Sequence, residues 1–69
     1  MSIVTEYVLK INGHPVSSGS KMKVTVALQN ALTSADTEGR PEPTVEVIER
    51  VVDYSLPVID QVTETVITL

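Results

Sequence analysis

Residues 45–69 read VEVIERVVDYSLPVIDQVTETVITL, and the fold turns on whether this stretch is wound or extended. On a heptad that begins at Val45, the a positions are Val45, Val52, Ile59 and Val66, and the d positions are Ile48, Ser55, Val62 and Leu69. All but Ser55 are apolar. Val47, Val51, Tyr54 and Val58 widen that arc, while Glu46, Glu49, Asp53, Asp60 and Glu64 fill the opposite side. A half-buried strand would put one residue of each apolar pair 47–48, 51–52 and 58–59 on the wrong face. The spacing therefore predicts an amphipathic helical segment over 44–69, capped by Thr44 and kinked at Pro57. Propensity opposes it, because Val, Ile and Thr are poor helix formers, so packing has to hold such a helix.

Upstream, residues 36–43 combine Gly39, Pro41 and Pro43 with charge and read as an exposed linker. Before them, Val24, Leu28, Ala31, Leu32 and Ala35 share one helical face, and Ser20 stands where an N-cap belongs, which predicts a helix over 20–35. Residues 1–19 form a hairpin and loop. Tyr7, Leu9 and Ile11 alternate with Glu6, Val8 and Lys10, and Asn12-Gly13 supplies the two positive-φ residues of a tight turn. Pro15 has no N–H to donate, so the return strand belongs at a sheet edge. The fold class expected is α+β in one small domain, a β-hairpin followed by two amphipathic helices, the second kinked at Pro57. The competing fold is mostly β, with residues 21–28 and 62–69 as strands.

Composition narrows the function classes. The chain has 69 residues, 42% hydrophobic and 20% charged, with no cysteine, no Trp and no Phe. Disulfide scaffolds, zinc fingers and cysteine catalysis are thereby excluded. No apolar run approaches the roughly 20 residues of a membrane span, and Met1 to Glu6 carry no signal-peptide pattern, so a cytoplasmic site is expected. A core of Val, Ile, Leu and Ala in so short a chain is thin, which points to a homo-oligomer. Its interface is expected on the apolar arc, at Val45, Ile48, Val52, Ile59, Val62 and Val66.

Charge is uneven. Residues 1–35 carry Lys10, Lys21 and Lys23 against Glu6, whereas residues 36–69 carry Arg40 and Arg50 against eight carboxylates, and the whole is −4. Direct nucleic-acid binding is disfavoured by that sign. A strand-helix-helix DNA-binding dimer is set aside as well, since its ribbon would be basic and would run straight into its first helix. The carboxylates Glu46, Glu49, Asp53, Asp60 and Glu64 are the expected surface for a basic protein partner. The alternative site is the loop Ser17, Ser18, Gly19, Ser20, Lys21 and Lys23, where hydroxyls and cations at a helix N-terminus favour an anion such as a nucleotide. It is not a P-loop, since five residues rather than four separate Gly13 from Gly19 and Gly-Ser-Lys replaces Gly-Lys-Ser.

His14 is the only histidine and has neither a nucleophile nor an orienting carboxylate placed beside it, so no catalytic residue, no metal and no cofactor is expected. The function expected is a non-enzymatic, self-associating interaction module that presents an acidic surface, of the inhibitor or mimic type. Its small, acidic, cysteine-free composition suits a phage-encoded viral protein. The alternative is an oligomeric binder or sponge for an anionic small molecule. No membrane partner is expected.

Overall fold

The computed structural model describes residues 2–68. Strand β1 (Ile3–Ile11) turns into β2 (His14–Gly19), helix α1 (Lys21–Thr37) follows, and β3 (Val45–Asp53) and β4 (Val62–Ile67) complete a four-stranded antiparallel sheet. The strand order is β2-β1-β3-β4, so the two central strands are separated in sequence by the helix.

The hairpin closes through Asn12 and Gly13 with φ of 51° and 83°, the left-handed pair that a two-residue turn of this twist requires. Ser20 caps α1, its Oγ accepting from Lys23 N at 3.2 Å. The helix ends on Gly39, whose φ is 68°. Gly39 N donates to Asp36 O and Arg40 N to Ala35 O, which satisfies the last carbonyls. The helix thus runs two residues beyond the 20–35 expected for it.

The second helix over 44–69, with its kink at Pro57, does not exist. That stretch is β3, a turn, a single 3-10 turn at Val58–Asp60, and β4. Of the competing fold, the strand expected over 62–69 is present as Val62–Ile67, Leu69 lying outside the described residues, while residues 21–28 are helical. Thr44 caps nothing. Its N–H donates to Asn12 Oδ1 at 3.1 Å and its carbonyl accepts from Asn12 N at 2.8 Å, tying β3 to the hairpin turn.

The reason lies in the position of β3. It pairs with β1 over nine residues and with β4 over six, so it is an interior strand flanked along both edges, and its side chains on either face are shielded by those of its neighbours. The adjacent apolar pair Val47 and Ile48 is 4% and 6% exposed, one side chain on each face. A two-sided strand reads as a run rather than an alternation. The a and d residues are accordingly split: Val45 shares a face with Leu9, whereas Ile48, Val52, Val62 and Val66 share the other. Pro57, with φ −55° and ψ 148°, starts the turn instead of bending a helix.

The core sits between α1 and the β1–β2 half of the sheet. Leu9 and Val24 are fully buried and pack with Val47, ringed by Tyr7, Ile11, Ala27, Leu28 and Ile67. The molecule measures 47 × 20 × 16 Å. Its exposed area of 4996 Å² exceeds by about 750 Å² the value near 4,250 Å² that scaling gives for a compact monomer of this mass.

Candidate functional site: an uncovered sheet face

Strand pairing aligns three rows on the side of the sheet away from α1. Val4, Val52 and Val62 form one, Glu6, Arg50 and Glu64 the next, and Val8, Ile48 and Val66 the third. The face is therefore apolar at both ends and ionic between. Arg50 Nη1 lies 3.5 Å from Glu6 Oε1, and its Nε is buried without a hydrogen-bond partner among the described residues. Lys10 stands opposite Glu46 on the same face. Val66 is 63% exposed, and Val4 and Val62 are about half exposed. Ile48, between Val8 and Val66, is the buried centre.

Four of the six residues expected at the oligomer interface, Ile48, Val52, Val62 and Val66, are gathered here. Val45 is on the helix side, and Ile59, 90% exposed in the 3-10 turn, stands apart. The residues that sequence reasoning missed are Val4 and Val8. In the sequence both belong to a hairpin with no second neighbour for β1, although the alternation against Tyr7, Leu9 and Ile11 puts Val8 on the opposite face with Glu6 and Lys10.

The five carboxylates expected to form one acidic stripe are dispersed. Glu46 and Glu64 are on the uncovered face, Glu49 and Asp53 are on the helix side of β3, and Asp60 is in the 3-10 turn. A helix would have aligned them; a strand alternates them. Glu49 Oε2 accepts from the Tyr7 hydroxyl at 3.2 Å, and Asp53 Oδ1 accepts from Ser55 N and Oγ at 3.0 and 2.6 Å.

Partial burial raises the Tyr7 phenol above its ordinary value of 10.0, and the Glu49 carboxylate that accepts its proton and repels its anion adds to the shift. A raised folded-state value gives stability that is present below the unfolded pKa and lost as pH rises through the folded one. Urea midpoints are therefore expected to fall as pH climbs past about 10, and to fall less in Tyr7→Phe. Equal slopes in the two proteins rule this contribution out.

The serine–glycine loop is assembled around the start of α1. Ser17, Ser18 and Lys23 line a cleft of about 410 Å³ with Val8, Pro15 and Val16, while the Ser20 hydroxyl is engaged in the cap and Lys21 lies outside the cleft lining. Gly19, φ 136°, lets the chain turn into the helix with the Lys23 side chain close against it. A second groove, about 530 Å³, lies between α1 and the segment Arg40–Pro43; Arg40 in it is paired with Glu38 at 2.7 Å. Among the described residues, no group of three His, Asp or Glu side chains is placed to hold a metal ion. No helix among them is long and apolar enough to cross a membrane.

No family model, no curated protein and no solved structure matches this chain.

Proposed function

We propose that this chain is a non-enzymatic interaction module that self-associates by burying the uncovered sheet face. The observation that carries the reading is the set Val4, Val8, Ile48, Val52, Val62 and Val66 on one side of the sheet, with the helix on the other. The excess area of about 750 Å² supports it, being close to the roughly 800 Å² that each partner contributes to a standard interface. The charges on the face are compatible with burial, because Lys10 stands opposite Glu46 and Arg50 between Glu6 and Glu64. The carboxylates left outside it, together with the net charge of −4, favour a basic protein as the second partner.

Val4→Lys tests the reading. Val4 is half exposed and lies at the end of the sheet, so the fold tolerates a lysine there, whereas an interface does not. Sedimentation velocity is expected to show a smaller species for the variant at an unchanged far-UV circular dichroism spectrum. Added salt is expected to leave self-association intact and to weaken any complex with a basic protein. An unaltered sedimentation coefficient in Val4→Lys refutes burial of this face.

A further inference from the structure

The two edges of the sheet are built differently. On β2, Pro15 lacks an N–H, the pairing with β1 slips between Leu9 and Lys10, and α1 packs alongside. On β4, Val62–Ile67, there is no Pro, Gly or Lys, the register with β3 is regular, and β-branched residues occupy every position but Glu64. Natural edges are usually blunted by charge, proline or irregularity. This one is left open.

The hydrogen-bond phase identifies what that edge offers. Asp53 N donates to Gln61 O, so in the antiparallel ladder the odd-numbered residues of β4 bond to β3. The N–H and C=O groups of Val62, Glu64 and Val66 then point away from β3, toward the free side.

We infer that β4 pairs antiparallel with β4 of a second copy, about a two-fold axis through Thr65, to make one eight-stranded sheet. Such an axis is perpendicular to the sheet, so the uncovered faces of both copies fall on the same side and join across the seam. It also places Glu64 opposite the partner's Val66 and Thr65 opposite the partner's Thr65. The neighbouring symmetric register, shifted by one pair, sets Glu64 against the partner's Glu64, and like charges directly opposite are unfavourable. Centring on Thr63 or Val66 overlaps only three residues of each strand, against five about Glu64 or Thr65, so the charge on β4 decides between the two longest registers in favour of Thr65.

The inference rests on the self-association proposed above but uses a different surface, so the two fail separately. With both surfaces used, paired sheets stack face to face as four chains. Native mass spectrometry of the full chain is expected to show four copies, falling to two in Val4→Lys. The chain has no cysteine, which makes cross-linking clean. Thr65 pairs with its mate at a non-hydrogen-bonded position, where Cα atoms are about 4.5 Å apart, within disulfide range. Under mild oxidation Thr65→Cys is expected to cross-link roughly tenfold or more faster than Ile59→Cys, an exposed residue that reports random collision. Glu64→Cys is expected to stay at that background, its mate lying on the diagonal beyond about 7 Å. Retention of the Thr65→Cys cross-link in the Val4→Lys background supports the edge independently of the face. A Thr65→Cys rate equal to that of Ile59→Cys, or a fast Glu64→Cys with a slow Thr65→Cys, overturns the proposal.

Discussion

Leu9→Ala is expected to abolish the cooperative thermal transition of this chain. Leu9 is fully buried where helix and sheet meet, between Val24 on α1 and Val47 on β3. Deleting a buried leucine side chain typically removes about 2–5 kcal/mol, the transfer free energy plus the cavity left behind. A domain this small rarely has more than about 3–5 kcal/mol in total. No second cluster exists among the described residues to take over, since Ala35 and Ile48 are buried apart from the Leu9 group. The broad, non-cooperative melt expected by calorimetry contrasts with Leu9→Met, which keeps the volume and is expected to lose less than about 1.5 kcal/mol. A sharp transition within a few degrees of the parent in Leu9→Ala places the stabilising core elsewhere.

The second large effect is expected from Ile48→Asp, and it comes with a pH signature. Ile48 is the 6% exposed centre of the face away from the helix, so a carboxylate there loses water without gaining a partner. Folding and self-association are both expected to be lost at neutral pH. Lowering the pH protonates a desolvated carboxyl before an exposed one, so the loss is expected to be partly recovered near pH 4. Sign and window agree: desolvation raises the folded-state pKa, and the folded state is then favoured as pH falls. Ile48→Asn, equally polar but without a titrating proton, is expected to show no such recovery. Denaturant midpoints at two pH values separate the outcomes, and an acid-insensitive Ile48→Asp excludes desolvation as the cause.

What could be read from the sequence was the local chemistry. Asn12-Gly13 specifies its turn by dihedral preference alone, and Ser20 specifies the start of α1 by an oxygen three residues before a free N–H. Neither needs a distant partner. Residues 45–69 were misread because their apolar residues occur at spacings of three, four and one. Those spacings describe a helical arc, and equally an interior strand with apolar side chains on both faces. Val47-Ile48 and Val51-Val52 are ambiguous until the neighbours of β3 are known. The cue that was present is the density of β-branched side chains together with Pro57, both of which favour extended chain over a long helix. The site suffered from the same error. The valines expected at an interface fall partly on the uncovered face because they are apolar whichever way the chain runs, whereas the acidic stripe is a product of helical geometry and disperses once the backbone is extended.

The irregular edge at β2 sets a limit on growth. A sheet that could add neighbours on both sides would polymerise, each copy templating the next into a filament, which is the hazard of short, β-branched segments such as β4. Here Pro15 and the slipped register close one side, so addition through backbone pairing stops after a single partner. Under the proposed β4 pairing the product would be a finite particle rather than a filament, so a chain rich in valine would not seed fibres as its concentration rises.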